Sequence, residues 1–298
     1  MGEGPLVSVV IPTWNRRQLV QEAIASVVAQ TYGNFELIVV DDGSTDGTIE
    51  ELRKLTDPRL RLIACPHSGV TAVSRNRGIE TARGEFVAFL DSDDLWLPRK
   101  LEAQVRALTQ SGAGWCYGNY SLVDEDCREI PLRSGRFRPL SGNIIERLLR
   151  GETAVHVDCL LVRSELLETV GPFDPALRKR EDLDFDFRLA MAGEAIALDE
   201  ILARVRDHPR RKTAGSDFAH EHTARVYRNF ISREPNRSLR QIARKMLARH
   251  LADAAADRIA ARNFGLAVKL LGEGILLGAP AGHWLRAGVR GGRRLFAP

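Results

Sequence analysis

The run Phe35-Glu36-Leu37-Ile38-Val39-Val40-Asp41-Asp42-Gly43-Ser44-Thr45-Asp46 decides how the chain is built. A β-branched apolar stretch ends in two carboxylates, turns at a glycine and reaches Asp46, an acid placed to cap the next helix. The same unit recurs on either side. Short apolar runs at 6–11, 60–64 and 86–90 alternate with amphipathic stretches at 16–29, 48–55 and 73–82. Strand-length apolar runs alternating with helical patterns predict βαβ units and a mostly parallel sheet with flanking helices, an α/β fold with its ligand edge at the strands' carboxyl ends. Thr13 and Asn15, Asp41 and Asp42, and Asp91, Asp93 and Asp94 all fall at those ends. Unpaired charge is too costly to bury for packing alone, so these residues are expected to line one cleft.

Beyond residue 114 the strands shorten, an arm rich in Pro and Arg occupies 128–139, and a helix opens near Glu181. From about residue 215, Ala, Leu and Arg recur at helical spacing through 218–231, 239–262 and 266–277. The expected division is therefore 1–115 and 116–214 as two halves of one α/β domain, followed by a C-terminal helical appendage over 215–298.

A chain of 298 residues, 44% hydrophobic, can bury a sizeable core. Its 43 Lys and Arg against 39 Asp and Glu leave a net charge of +4, which is far from a dedicated nucleic-acid binder. Cys65, Cys116, Cys127 and Cys159 show neither a CxxC pair nor zinc spacing, and so suggest no disulfide framework. No signal peptide is evident after Met1, and no apolar run reaches the roughly 18 residues that a membrane span needs. A cytoplasmic location is expected.

Phe89-Leu90-Asp91-Ser92-Asp93-Asp94 crowds carboxylates just past a strand. Such density repels itself unless a cation intervenes, and hard oxygen ligands suit Mg²⁺ or Mn²⁺ bridging to a diphosphate. The plain alternative is an Asp-rich turn capping the helix that begins near Pro98. A carboxylate at Asp42 can accept from the imide N–H of a uracil-like base, although a strand ending in paired Asp also describes a phosphoacceptor receiver. Arg180-Glu181-Asp182-Leu183-Asp184-Phe185-Asp186-Phe187-Arg188 places acids at a helix start, where the macrodipole favours them, with Asp184 and Arg188 spaced to pair.

Taken in order, Val9-Val10-Ile11-Pro12-Thr13-Trp14-Asn15-Arg16, then residues 39–46, then Gly69-Val70-Thr71-Ala72-Val73-Ser74-Arg75-Asn76-Arg77-Gly78-Ile79, then Gly84-Glu85-Phe86 through Asp94-Leu95-Trp96 resemble the successive motifs of the family 2 glycosyltransferases with the GT-A fold. The match covers the first hundred residues, and later motifs carry it to about Lys212. The resemblance implies an inverting, metal-dependent transferase of polysaccharide or glycan biosynthesis. Residues 1–115 would then bind a nucleoside-diphosphate sugar, with UDP favoured, and 116–214 a glycan or lipid-linked acceptor. It implies that Pro12, Thr13 and Asn15 border the nucleoside, that Asp42 contacts the base and that Arg75 lies near the diphosphate. Asp91 and Asp93 would form the DxD element, Asp91 toward the ribose and Asp93 on Mn²⁺ or Mg²⁺. Glu181-Asp182 resembles the family's ED motif, with Asp182 as general base and Glu181 orienting the acceptor or a loop. Arg206-Asp207-His208-Pro209 resembles its R-x-H-P element, with His208 approaching the diphosphate or the metal.

Two other readings compete. A sugar-1-phosphate nucleotidyltransferase would want a Gly-rich loop after the first strand, where residues 12–16 offer none. A non-catalytic sugar-nucleotide-binding protein, or a receiver, would leave Glu181-Asp182 without a task. The tail, with Trp284, Arg286, Arg290, Arg293, Arg294 and Phe296, has the composition of a segment lying on an anionic membrane surface, or of a frayed basic helix end.

Overall fold

The computed structural model describes residues 4–131, 138–207 and 219–278. Its first unit, residues 1–145 and 153–214, is built on one mixed sheet. β1 (Val7–Thr13) leads into α1 (Leu19–Val28), β2 (Phe35–Asp41) into α2 (Thr48–Leu52), and β3 (Leu60–Ala64) into α3 (Thr71–Thr81), which returns to β4 (Phe86–Phe89). These four strands are parallel in the order β3-β2-β1-β4. Every residue of β1, β2 and β4 is buried, which is why they read as largely apolar runs rather than alternating ones, Ser8 and Glu36 being buried as a hydrogen-bonded pair. The register sets Thr13 beside Asp41, and Asp42 N donates to Thr13 O at 2.9 Å. The carboxyl ends thus line up as one edge.

The other half is mixed. After β5 (Leu95–Trp96) and α4 (Lys100–Ser111) come β6 (Trp115–Val123) and β7 (Glu129–Ile130), then α5 (Ile145–Arg150), which falls almost wholly in the second unit, a 3₁₀ turn at Val157–Cys159, β8 (Leu161–Arg163) and α6 (Ser164–Val170). α7 (Glu181–Ala192) and the long β9 (Ala195–Arg206) complete it. The sheet continues from β4 as β8-β6-β9-β5, with β7 paired to β6. β8 runs antiparallel to β4 and β6, β6 and β9 run parallel with a register shift around Asn119, and β5 runs antiparallel to β9. α1 and α4 pack on the sheet through Val20, Ile24, Val27, Leu101, Val105 and Leu108, all in one buried core cluster.

The second unit comprises residues 146–152 and 215–298. Besides most of α5, its described helices are α8 (Ala219–Arg233), α9 (Arg237–Ala260) and α10 (Phe264–Leu276). Asn236 caps α9 by accepting from Ser238 N and Leu239 N, and Asn263 caps α10 by accepting from Leu266 N. Small buried residues of α9, Ala252, Ala255 and Ala256 among them, let neighbouring helices approach. Arg228 grips Glu273 through two 2.7 Å bonds, tying α8 to α10, and Arg258 holds Glu221 between α9 and α8. Among the described residues no helix is long and apolar enough to cross a membrane.

Candidate active site

The edge formed by the ends of β1, β2 and β4 is organised by pairings that bring distant motifs together. The loop after β1 and the loop after β2 are laced. Asn15, held at φ +50°, accepts from Thr45 N through Oδ1 at 2.8 Å, while its own N–H donates to Ser44 Oγ. Pro12 lies within β1 beside Val40, and Thr13 is buried with a hydroxyl that has no hydrogen-bond partner among the described residues. Asn15 therefore shapes the edge, its side chain committed to the Thr45 backbone.

Asp42 is 6% exposed, and both of its carboxylate oxygens already accept bonds. Ser68 N and Oγ donate to Oδ1 at 2.9 and 2.8 Å, and Gly69 N donates to Oδ2 at 2.9 Å. His67 Nδ1 lies 3.1 Å from Oδ2. Beside it Trp14, 48% exposed, stacks on the His67 ring at 4.6 Å. Asp42 thus fixes the 67–69 loop.

The acidic loop follows β4. Ligand oxygens of Asp91, Asp93 and Asp94 lie within 4.8 Å of one another, a set of hard donors that suits a divalent cation of the Mn²⁺ or Mg²⁺ kind. The sequence set a bound cation against a plain helix-capping turn as the reason for such density. The structure adds arginines to that account. Arg16 Nη1 sits 2.9 Å from Asp93 Oδ2, and Arg75 Nη2 donates to Asp91 Oδ1 at 2.6 Å. Arg206, at the end of β9, donates its N–H to Asp94 Oδ1 at 2.7 Å and its Nη1 to the Asp93 carbonyl at 3.2 Å, and also pairs with Glu22. The expected R-x-H-P element therefore begins with a residue that latches the acidic loop. His208, the candidate metal ligand, lies outside the described residues, as do Arg210, Arg211, Lys212, residues 132–137 of the expected arm and the whole of the basic tail.

Under the loop is a residue that sequence reasoning missed. Asp158, fully buried, accepts from Asp91 N through Oδ1 at 2.8 Å, and its Oδ2 lies 3.4 Å from His156 Nδ1. Burial, Asp158 and Asp93 push the Asp94 carboxyl well above the usual carboxylate range, and burial and Asp91 raise Asp158. Two buried carboxyls in contact cannot both ionise cheaply, which is the physical cause of both rises. The only trace in the sequence is an acid inside the apolar run Val157-Asp158-Cys159-Leu160-Leu161.

Arg75, expected near a diphosphate, lies between the acidic loop and the start of α7. It is 3% exposed on α3, spanning Asp91 Oδ1 and, at 3.1 Å, Glu181 Oε1, with its guanidinium 5.2 Å from the Phe173 ring centroid. Burial works against its charge, but Asp91, Glu181 and Asp182 outweigh it and hold its pKa above the ordinary value. One buried guanidinium therefore joins the acidic loop to the start of α7. There Arg180 takes φ +64°, which turns the chain abruptly into the helix, and Asp182 Oδ1 accepts from Leu183 N at 2.8 Å in the first turn. Arg188 pins α7 by donating to Asp184 at 2.8 Å, the pairing expected from their spacing, and to the Val170 and Gly171 carbonyls at 2.7 and 3.2 Å.

An α/β sheet with acids at its carboxyl edge is the arrangement the ordered motifs imply, and the structure adds one arginine that ties that edge to an acidic helix start. Residues 8–171, more than half of the chain, match the family described as "Glycosyl transferase family 2".

The chain belongs to glycosyl transferase family 2.

Membership decides for the glycosyltransferase over the nucleotidyltransferase and receiver readings. Among its relatives in this family, the Escherichia coli UDP-Glc:alpha-D-GlcNAc-diphosphoundecaprenol beta-1,3-glucosyltransferase WfgD is 37% identical over 41% of this chain and 48% of its own length. The putative teichuronic acid biosynthesis glycosyltransferase TuaG of Bacillus subtilis is 34% identical over 68% of this chain and 79% of its own. The chain thus aligns with about half of the first relative and most of the second. The S. aureus TarS 1–349 structure, in complex with UDP-GlcNAc, superposes with a TM-score of 0.72 over 97% of this chain and 89% of that one, at 20% identity. That likeness places this glycosyltransferase in the GT-A fold.

Proposed function

We propose that this glycosyltransferase moves a sugar from a nucleoside diphosphate, UDP favoured, onto a hydroxyl of a glycan or lipid-linked acceptor, with inversion at the anomeric carbon. The observation that carries the reading is the Asp91–Arg75–Glu181 bridge, which couples the acidic loop to the helix turn bearing Asp182. The relative named for UDP-Glc and a diphosphoundecaprenol acceptor, and the neighbour bound to UDP-GlcNAc, support donor and acceptor classes of this kind.

In this reading Asp182 accepts the proton of the acceptor hydroxyl as that oxygen attacks the anomeric carbon from the face opposite the leaving phosphate. The carbon–oxygen bond to the diphosphate breaks, and the electron pair leaves with the nucleoside diphosphate. Glu181 holds Arg75, and through it Asp91, in register with that attack. Asp91 and Asp93 are the residues that would hold a divalent cation, with His208 as a further ligand by resemblance. A bound cation would offset charge developing on the leaving diphosphate. Trp14 offers a flat, exposed ring beside Asp42, which suits a planar base, and Asp42 would contact an imide only by sharing acceptors already used by Ser68 and Gly69.

The test is Asp182→Asn. Transfer should fall about 10²- to 10⁴-fold, the usual contribution of a positioned general base, with UDP-sugar affinity unchanged in a direct binding assay. Turnover within a few-fold of wild type would remove Asp182 as base. An anomeric product of unchanged configuration, read by NMR, would remove the single displacement.

A further inference from the structure

Under the acidic loop lies a group of donors that the transfer reading leaves unused. His156 precedes the 3₁₀ turn and Asp158 sits within it, and one ligand atom of each comes within 4.8 Å of the other and of Asp94. Asp158 is fully buried. Its Oδ1 takes the Asp91 N–H, but its buried Oδ2 has no hydrogen-bond partner among the described residues. A carboxylate oxygen left so is costly, and calls for an electropositive neighbour. His156 Nδ1 stands 3.4 Å from that oxygen and faces it as an acceptor, since the Asp158 N–H points at the same nitrogen from 3.4 Å. Asp94, 3% exposed, gives Oδ1 to the Arg206 N–H and has a second oxygen. Three acceptors therefore converge. The spacing selects what belongs between them. A charge-assisted N–H···O bond would close to about 2.7–2.9 Å. Two ligands bonded at about 2.0–2.1 Å to one tetrahedral cation stand about 3.3–3.4 Å apart instead, which is the separation of His156 Nδ1 from Asp158 Oδ2.

We propose that His156, Asp158 and Asp94 bind a Zn²⁺ ion beneath the acidic loop, at a site separate from the cation that Asp91 and Asp93 would hold against the donor. One imidazole nitrogen with two carboxylate oxygens is a zinc donor set, whereas oxygens alone suit Mn²⁺ or Mg²⁺. Three protein ligands leave the fourth position to water. The ring of His156 packs 4.7 Å from that of Tyr120, which limits its rotation and presents Nδ1 to the site. With the ion in place, Asp158 is fixed under the Asp91 N–H and Asp94 under the Arg206 N–H, so both ends of the loop are clamped before a donor arrives. Zinc binding requires neither donor nor acceptor, so its failure would leave the transfer reading untouched.

The experiment strips the full chain with a chelator and returns Zn²⁺ alone. One equivalent should stay with the protein through gel filtration, read by elemental analysis, and Tm should rise. His156→Asn keeps a capping acceptor of similar shape but offers an amide oxygen, a poor zinc ligand. It should fold with the metal-free Tm of wild type and bind zinc at least about a hundredfold more weakly, since even an outer-shell partner is worth about 10- to 100-fold. His156→Cys supplies a thiolate in the same place and should regain the ion, with Co²⁺ in that variant giving the charge-transfer absorption of a thiolate ligand. Asp93→Asn should keep its zinc. A wild-type chain that retains none would overturn the proposal, as would zinc that survives His156→Asn or a folded cysteine variant without the thiolate band. Loss of the ion from Asp93→Asn would also overturn it, because the zinc would then sit among the acids assigned to the donor's cation.

Discussion

A guanidinium 3% exposed between Asp91 and Glu181 has to be compensated where it stands, and so do the carboxylates that meet it. Removing one member of a buried ion group leaves the others charged and unsolvated, at a cost of about 3–5 kcal/mol. Arg75→Met should therefore lower the denaturation midpoint by an amount of that order, and abolish transfer. Arg75→Lys keeps the charge but replaces a planar fork with a point donor that cannot span both carboxylates. We expect it to recover most of the lost stability while kcat stays at least about tenfold down, since the two motifs are then held less precisely. A lysine variant with wild-type kcat would mean that the bridge only stabilises. In the sequence Arg75 stands out as a motif residue, but its partners do not. Glu181 is 106 positions away, and no spacing rule encodes a contact across that distance. Arg16, Asp158 and Arg206 were missed as supports of the acidic loop for the same reason, while Asp91, Asp93 and Glu181-Asp182 were legible because each cluster is local.

At the scale of elements, helix and strand positions followed from apolar period. α7 opens at Glu181 and β3 spans Leu60–Ala64 as read, while α3 opens at Thr71, two residues ahead of the stretch at 73–82. Close approach was not legible. A Cβ built on Gly78 of α3 would lie 2.2 Å from Val10 Cγ1 on β1, far inside contact distance, and a β-branched neighbour cannot swing aside. Helix propensity favours Ala here by about 1 kcal/mol, yet overpacking costs about 1–3 kcal/mol and moves α3, which carries Arg75. Gly78→Ala should lower the urea midpoint at unchanged m and reduce transfer with it. α4 holds a second case. Lys100 is buried, donating to Gln104 Oε1 at 2.7 Å and the Leu160 carbonyl at 3.2 Å, and burial pushes its pKa down to about 7. Unfolded, the amine titrates near the ordinary 10.5. Just above pH 7 the unfolded chain therefore binds a proton that the folded chain does not, and stability rises with pH. Buried Cys116, its thiol pushed up to about 12, works in the opposite direction once unfolded thiols ionise above about pH 8.5. Between those limits the Tm of wild type should climb relative to that of Lys100→Met. Parallel Tm profiles would mean that the amine stays charged inside the fold.

Across the whole molecule, the parallel half of the sheet could be read from the alternation of runs, but the order β8-β6-β9-β5 could not. It rests on β9 pairing along β6 through an irregular register and on Leu95 meeting Arg204, pairings between segments of similar composition. That distant strand also brings Arg206 to the acidic loop, so the site is complete only when the sheet is. Arg16 makes a consequence measurable. It occupies Asp93 Oδ2, one of the oxygens a cation would need, so a cation arriving alone must displace a guanidinium and binds weakly. A diphosphate arriving with the cation offers that guanidinium a new anionic partner, and the exchange becomes favourable. Mn²⁺ or UDP alone should therefore raise Tm little. Together, at about 100 times the Kd of the pair, they should add roughly 2.7 kcal/mol of stability. Arg16→Ala should invert the pattern, because Mn²⁺ alone then reaches Asp93 without displacing that guanidinium while UDP loses the residue that would receive it. If Mn²⁺ alone shifted wild-type Tm as far as Mn²⁺ with UDP, Arg16 would not be guarding Asp93, and the acidic loop would bind its cation without help from the donor.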